Sequence, residues 1–248
     1  MKNFLLIPAI ALVSWTAKGQ YPFEKYPTPK YEHYNDWKTF DKSEKERKVH
    51  STLTIPQFFT NGDTLSLQLT SFTDHWLENS IIRIFRNGIE TQKLIENMAF
   101  VPHGLDTLRV ADINGDGLQD IKIISAYMGS GTAAMNVRVI YLFQQSDTGF
   151  QKISFADKMS SNRKERDFDG DKNFEIITLN LIGYEGHSYW LFNLFNNQDA
   201  GLESVNNQHN YPILIQFLKH PNYEITNKIS RDKMKSFALK FPDDYHAQ

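Results

Sequence analysis

Side chains that carry oxygen recur at alternate places in one short acidic stretch, residues 112–120. They occupy its first, third, fifth and ninth positions, and a backbone carbonyl falls at the seventh: Asp112, Asn114, Asp116 and Asp120, with the carbonyl of Leu118. A tightly wound loop turns alternate side chains inward, so this spacing places the oxygens around one hard cation. Three carboxylates this close repel one another unless a cation or protons neutralise them. The stretch therefore predicts a metal-binding loop, here called the first loop.

Calcium is the cation that this oxygen-only ligand set favours. Ca²⁺ accepts several oxygen ligands in a flexible geometry, whereas Mg²⁺ prefers a rigid octahedron and retains water. Zinc and iron prefer histidine or cysteine ligands, and the loop contains neither. The loop is not an EF-hand, because Ile123 stands at the twelfth position, where a bidentate glutamate is expected. The alternative is an Asn/Gly turn whose acidic residues are incidental.

A second acidic stretch, residues 167–175, repeats this register and is here called the second loop. Its candidate ligands are Asp167, Asp169, Asp171 and Glu175, with the carbonyl of Asn173. Gly170 matches Gly115 at the fourth position, but Lys172 replaces Gly117 at the sixth. A lysine adopts positive φ less readily than glycine and brings a positive charge towards the site. Because four carboxylates outnumber one lysine, we expect calcium to bind here in a weaker form.

Both loops precede the same series of predicted elements. Each is followed by a strand, a small-residue loop, a strand, a polar turn with glycine, and a strand. Asp167 lies 55 residues after Asp112 (167 − 112), so order and period agree and indicate an internal repeat. Repeats of this length are the size of propeller blades. Short strands at residues 107–111 and 121–125 are predicted to hold the first loop between them.

A further antiparallel sheet without a metal loop is predicted for residues 52–96. Leucines alternate with polar residues in 64–70, and Asn87-Gly88 predicts a hairpin turn. Three sheet units are fewer than the roughly four blades of closed propellers. The sequence therefore predicts an all-β fold of antiparallel repeat sheets, open or incomplete and β-propeller-like.

The C-terminal part predicts an edge strand and one short helix. Residues 211–218 are apolar, and Pro212 cannot donate to a ladder, which favours a sheet edge. Ser230 predicts the helix N-cap. Four apolar residues then fall at helical spacing on one predicted face: Met234, Phe237, Ala238 and Phe241.

The two acidic loops, each followed by an apolar strand, bring out a resemblance to the FG-GAP and VCBS repeats of extracellular β-propellers. The resemblance covers about residues 105–205 and implies calcium loops at the inner strands of blades. The first loop matches fully, and the second departs at Lys172. More loosely, the chain is similar to short exported calcium proteins of Bacteroidetes-type bacteria without assigned activity, and to a propeller-like family of periplasmic lysozyme inhibitors.

The N-terminal part predicts export. Residues 1–19 combine a positive start, an apolar run and a small-residue cleavage pattern, as in a secretory signal peptide. Residues 20–50 are predicted to form a loosely held Pro/Tyr-rich arm and, from Trp37 to His50, a solvated short helix or charged linker, ahead of a β domain over 51–248. The chain has no cysteine, so an exported form has no disulfides. We expect a periplasmic or secreted protein.

Composition and motifs narrow the classes of function. With a formal net charge of −2 and no basic stripe, nucleic-acid binding is not expected, and no membrane span is predicted. No Gly-x-Ser-x-Gly, His-Glu-x-x-His or P-loop pattern occurs. His187 and Ser188 are neighbours on a predicted strand and point to opposite faces. His103, next to Pro102, predicts a turn. The expected function is therefore non-enzymatic calcium binding that makes strand junctions rigid.

A binding module is the alternative function. Residues 128–136 and 183–189 form loops at equivalent places in the repeat, and loops held by a rigid sheet commonly carry recognition. Tyr184, Tyr189 and Trp190 would be aromatic anchors for a protein or glycan partner, or else core residues. Such a module would inhibit a peptidoglycan-cleaving enzyme of the lysozyme type or bind glycans at a surface.

Overall fold

The computed structural model describes residues 20–41, 48–72, 79–97, 107–126, 135–145, 149–160 and 163–248. In these ranges the fold is built from three antiparallel sheets, none of which closes into a barrel, and one short helix. The predicted all-β, open, propeller-like architecture is confirmed. The predicted signal peptide at 1–19 lies outside the described residues.

The first sheet is an antiparallel meander that contains the hairpin predicted at Asn87-Gly88. Its strands, in spatial order, are β2 (Lys38–Asp41), β3 (Lys48–Ile55), β4 (Leu65–Phe72), β5 (Ser80–Arg86) and β6 (Ile89–Glu96). Asn87 and Gly88 have φ of 49° and 81°, as a two-residue hairpin turn requires. On β4 the alternating Leu65, Leu67 and Leu69 are buried. The pattern of leucines therefore reports the buried face correctly.

The prediction of a solvated helix or linker between Trp37 and His50 is wrong where the structure describes this segment. Residues 38–41 form β2, which pairs with β3, and β3 begins at Lys48. Val49 and Ser51 continue the buried alternation of Leu53 and Ile55, so the strand extends upstream of residue 51. The charged residues of this segment suggested solvation, but the residues before and after them pair as strands β2 and β3. Residues 42–47 lie outside the described part of the chain.

The second sheet has six strands and takes its two edges from distant parts of the chain. In spatial order they are β1 (Glu32–Tyr34), β7 (Leu108–Ala111), β8 (Asp120–Ala126), β9 (Asn136–Gln145), β10 (Gly149–Lys158) and β15 (His246–Ala247). The edge strands β1 and β15 cover β7 and β10. The N-terminal arm is thus part of a sheet, and the prediction that it is loosely held is wrong.

The third sheet is centred on β12, its longest strand. Its members are β11 (Ile176–Tyr184), β12 (His187–Gln198), β13 (Gly201–Ser204) and β14 (Ile213–Gln216). β13 and β14 pair with successive parts of β12, and β14 confirms the predicted edge strand. The strand that precedes the first loop is reduced here to one bridge, between Arg166 and Glu175. The second loop therefore repeats the first with one flanking strand fewer.

The predicted C-terminal helix is present but shorter than its apolar pattern. α1 spans Arg231–Lys235, and the side chain of Ser230 accepts a hydrogen bond from the N–H of Lys233, as an N-cap does. Met234 is buried, but Phe237, Ala238 and Phe241 follow the helix, and Phe241 is 42 % exposed. The predicted four-residue helical face is therefore wrong beyond Met234. In the part of the chain that the structure describes, no helix has the length and apolarity needed to cross a membrane.

The second sheet is buried on both faces, between the other two sheets. Ile121 and Ile140 pack on one face against the core of the first sheet. Val139 and Phe143 pack on the other against residues of the third, including Phe195. Strands covered on both sides have continuous apolar runs, as 139–143 does. The first loop, between β7 and β8, is thereby attached to a sheet that is covered on both faces, whereas the second loop precedes β11 of the third sheet.

Buried charges also connect the second sheet to its neighbours. Glu165 accepts hydrogen bonds from Lys122 Nζ at 2.6 Å and from the hydroxyls of Tyr31 and Tyr141. Burial opposes ionisation of Glu165, but the Lys122 ammonium and these donors together hold its pKa below the usual value. Tyr31 belongs to the N-terminal arm, so this cluster fixes the arm against the sheet.

Candidate functional site: two adjoining acidic loops

The first loop joins β7 to β8 and is wound by its own side chains. Asp112 accepts hydrogen bonds from the N–H groups of Gly115 at 2.8 Å and Gly117 at 3.0 Å. Asn114 and Asp116 accept from backbone N–H groups two residues ahead, at 3.3 and 2.8 Å. Gly115 and Gly117 have φ of 77° and 85°, which glycine adopts at little cost. The predicted ligands therefore belong to one tight turn.

Asp120 is the buried support of the first loop. Its carboxylate accepts one hydrogen bond from the N–H of Ile113 at 2.8 Å and one from the N–H of Gln144 on β9 at 3.0 Å. Burial raises the pKa of Asp120 to about 7, although both of these N–H groups act in the opposite direction. The carboxyls of Asp112, Asp116 and Asp120, all among the described residues, do not gather as a group of three within 4.8 Å. In this conformation Asp120 connects the loop to the sheet.

The second loop has the conformation of the first. Asp167 accepts from the N–H of Gly170 at 2.7 Å, and Asp171 accepts from the N–H of Asn173 at 2.7 Å. Gly170 has φ of 87°, and Lys172 adopts φ of 72°, close to that of Gly117. Lysine thus occupies the left-handed region, at a cost of about 1–2 kcal/mol. The fold is kept despite the one departure in the motif.

Carboxylates gather more closely in the second loop than in the first. Single oxygens of Asp167, Asp169 and Asp171 lie within 4.8 Å of one another. Two oxygens bound to one Ca²⁺ at about 2.4 Å are at most about 4.8 Å apart, so this group has the dimensions of one cation site. The sequence predicts the first loop as the stronger site; in this conformation the carboxylates gather in the second.

Glu175 is the buried acid of the second loop, at the place of Asp120. Its Oε2 accepts from the N–H of Phe168 at 2.8 Å, as Asp120 accepts from Ile113. The residue is fully buried, and burial raises its pKa to about 7. Its Oε1 has no donor within hydrogen-bond distance among the described residues, while the nearby side chain of Asn196 acts to lower the pKa of the carboxyl. A buried carboxylate oxygen without a donor is costly, and a cation beside it would remove that cost.

A histidine that the sequence did not single out completes this group. His209, in the turn between β13 and β14, places Nε2 3.6 Å from Glu175 Oε1. One ligand atom each from Asp169, Glu175 and His209 lies within 4.8 Å of the others. The ring packs at 5.1 Å against Phe168 of the loop. His209 lies 34 residues after Glu175 (209 − 175) and belongs to no motif, so spacing alone could not identify it.

The two loops lie against each other. The N–H of Phe174 donates to the carbonyl of Ile113 at 2.9 Å, which joins the end of the second loop to the start of the first. A Cβ at Gly115 would lie only 2.9 Å from the carbonyl oxygen of Lys172. We call this contact, between residues 113–115 and 172–174, the loop seam. A change of conformation in one loop therefore reaches the other directly.

The loops predicted to contact a partner offer fewer anchors than expected. Tyr189 and Trp190 are 1 % and 7 % exposed and belong to the core, so only the core alternative holds for them. Tyr184 packs edge-on against Phe237 at 5.6 Å. His187 and Ser188 are exposed neighbours on β12. Residues 128–134 of the other loop, and His103, lie outside the described residues.

A cavity of about 500 Å³ lies beside the first loop, between the first and second sheets. Its polar lining side chains come from separate segments of the chain: Glu32, Tyr34, Gln57, Thr60, Gln119 and Gln144. Gln57 adopts φ of 55°, which is uncommon outside glycine. The cavity joins the edge of the first loop to the N-terminal arm.

Comparison of the chain with known protein families, with characterised proteins and with solved structures found no significant match. The resemblance to FG-GAP and VCBS repeats therefore rests on the loop residues themselves.

Proposed function

We propose that this is an exported, non-enzymatic protein in which calcium, bound at two adjoining loops, makes the junctions between sheets rigid. The observation that carries the proposal is the pairing of two loops of equal conformation across the loop seam, one with its carboxylates gathered at the spacing of a cation site. The signal-like residues 1–19 support export.

The residues that would hold calcium are those of the acidic loops. In the first loop they are Asp112, Asn114, Asp116, Asp120 and the carbonyl of Leu118; in the second they are Asp167, Asp169, Asp171, Glu175 and the carbonyl of Asn173. Each loop is anchored by a buried acid, Asp120 or Glu175, and burial raises the pKa of each to about 7. A bound cation would allow that acid to ionise and would hold the loop against its sheet.

Removal of calcium should therefore lower stability. Ligand that binds only the native state stabilises by RT ln(1 + [L]/Kd), about 2.7 kcal/mol at a hundredfold excess over Kd. For a chain of this size that corresponds to a melting temperature about 5–10 °C lower after chelation. Differential scanning calorimetry with calcium and with a chelator measures the shift.

Two variants make the test specific. Asp116→Ala should remove the contribution of the first loop, whereas Asp232→Asn, at a side chain that is 97 % exposed and far from the loops in sequence, should respond to calcium like the wild type. Identical melting curves of the wild type with calcium and with chelator would refute calcium binding as the function.

The cavity beside the first loop favours a second candidate function, the binding of glycans. Carboxamide, carboxylate and phenol groups from Gln119, Glu32 and Tyr34 line it, and sites with converging polar groups beside aromatic rings suit polyhydroxylated ligands. A glycan array that includes peptidoglycan fragments tests this candidate. A pull-down against lysozymes tests the alternative, that the protein inhibits such an enzyme. Gln119→Ala should weaken glycan binding without lowering the melting temperature. Absence of binding on the array would reject glycan binding, and absence of capture by lysozymes would reject the inhibitor alternative.

A further inference from the structure

We propose that the second loop is a mixed nitrogen–oxygen metal site, completed by His209, which takes a first-row transition ion such as Zn²⁺ in preference to calcium. This inference rests on the proposed metal-binding function of the second loop and changes the class of its ion. The two loops would then bind different metals across the loop seam.

Two carboxylates and one imidazole lie close enough together to bind one ion. Asp169 comes from the exposed turn, Glu175 from the buried end of the loop, and His209 from the turn between β13 and β14, and their ligand atoms lie within 4.8 Å of one another. The distance of 3.6 Å between Glu175 Oε1 and His209 Nε2 is close to the separation of two ligands on one tetrahedral zinc, about 3.4 Å for bonds of about 2.0–2.1 Å.

Both inner ligand atoms lack another partner. Glu175 Oε1 belongs to a fully buried side chain and has no hydrogen-bond donor among the described residues. His209 Nε2, on a side chain that is 13 % exposed, likewise has no hydrogen-bond partner among them. A direct hydrogen bond between them would need a distance of about 2.7–3.2 Å. Two unsatisfied atoms that face each other beyond that distance have the arrangement of ligands on either side of an ion.

The chemistry of the ligands selects the ion. Ca²⁺ takes oxygen ligands, and an imidazole nitrogen adds little to its coordination. Imidazole with carboxylate suits zinc and other late first-row ions. Among the described residues, His209 joins the carboxylates of the second loop, and no histidine forms such a group with those of the first, so the preference for transition metals should be confined to the second.

The test is calorimetric titration of the metal-free full chain with Zn²⁺ alone, Ca²⁺ alone, and each after saturation with the other. We expect one zinc to bind and to persist in excess calcium. His209→Ala should weaken zinc binding by at least about 10- to 100-fold, the cost that follows loss of a group that merely supports a metal ligand. It should leave calcium binding by the first loop unchanged. His220→Ala, at an exposed histidine outside the loops, is the matched control and should bind zinc like the wild type.

Two further measurements guard against misfolding of the variant. Glu175→Gln retains the shape of the buried side chain and should weaken zinc binding in the same way. Nitrogen chemical shifts of the wild-type histidine rings should show zinc bound through His209 Nε2. Zinc affinity unchanged in His209→Ala, or a zinc-insensitive His209 ring, overturns the inference while leaving calcium binding intact. Zinc binding through His209 without any calcium response would support it and overturn the proposed calcium function instead.

Discussion

Replacement of Gly115 by alanine tests whether the two acidic loops act on each other. The residue has φ of 77°, and a Cβ there would lie 2.9 Å from the carbonyl oxygen and 3.0 Å from the carbonyl carbon of Lys172. Gly170, at the equivalent position of the second loop, has φ of 87°, and a Cβ there would meet no atom within 4 Å. The two glycines therefore have the same backbone conformation, but only a side chain at Gly115 would meet the opposite loop.

The expected magnitudes follow from backbone conformation and from contact. The left-handed conformation costs alanine about 1–2 kcal/mol at either position. At Gly115 the methyl must also displace backbone of the opposite loop, and overpacking of this kind costs about 1–3 kcal/mol. Gly170→Ala should thus lower the free energy of unfolding by about 1–2 kcal/mol, and Gly115→Ala by about 2–5 kcal/mol.

Urea unfolding of both variants, without metal and with saturating calcium, measures these costs. Gly117→Ala is a second control within the first loop, since its φ is 85° and nothing lies within 4 Å of the added methyl. Gly115→Ala should also weaken metal binding by the second loop, because the added methyl would push on the peptide between Lys172 and Asn173, and the carbonyl of Asn173 is a candidate ligand. Equal costs for Gly115→Ala and Gly170→Ala would refute contact between the loops as a source of coupling.

Two further perturbations test the charges described above. Glu165→Gln leaves the Lys122 ammonium buried without its counter-charge, because both side chains are at most 3 % exposed. It should lower the free energy of unfolding, measured by urea titration, by about 3–5 kcal/mol. Asp232→Asn, in an exposed pair, is the control and should have almost no effect. Wild-type stability in Glu165→Gln would contradict the assigned pairing. Hydrogen-bond donors on Asn61, Asn87 and Arg86 lower the pKa of Asp63 from 3.8 to about 2. The ionised carboxylate therefore stabilises the folded protein fully above pH 3.8, and this stabilisation is lost as the pH falls through about 2. The difference in unfolding free energy between wild type and Asp63→Asn should shrink over that window, and a pH-independent difference would argue against it.

Local patterns predicted most of the strands and both loops. Alternating leucines in β4, the Asn87-Gly88 turn and the Ser230 cap depend on neighbours in sequence, and each appears where expected. The acidic register likewise predicted two loops of one conformation, because the winding comes from side chains bonding to N–H groups two to five residues away.

The errors concern contacts between distant residues. Whether residues 38–41 form a strand depends on pairing with β3, which outweighs the neighbouring charges. Lys172 accepts positive φ because the rest of its loop is held by the same hydrogen bonds as the first. The approach of His209 to Glu175 and the loop seam both come from the packing of separate segments, so no periodic pattern in the sequence predicts them.

The edges of the second sheet have a consequence for folding kinetics. Each outer strand pairs with a strand far along the chain: β7 begins 74 residues after the end of β1 (108 − 34), and β15 begins 88 residues after the end of β10 (246 − 158). The first sheet, by contrast, is built from consecutive strands. Closing long loops before their contacts form makes folding slow. The first sheet is therefore expected to form early, and the sheet that carries the first loop to be completed last. Metal that binds only the finished loops would then slow unfolding more than it speeds folding.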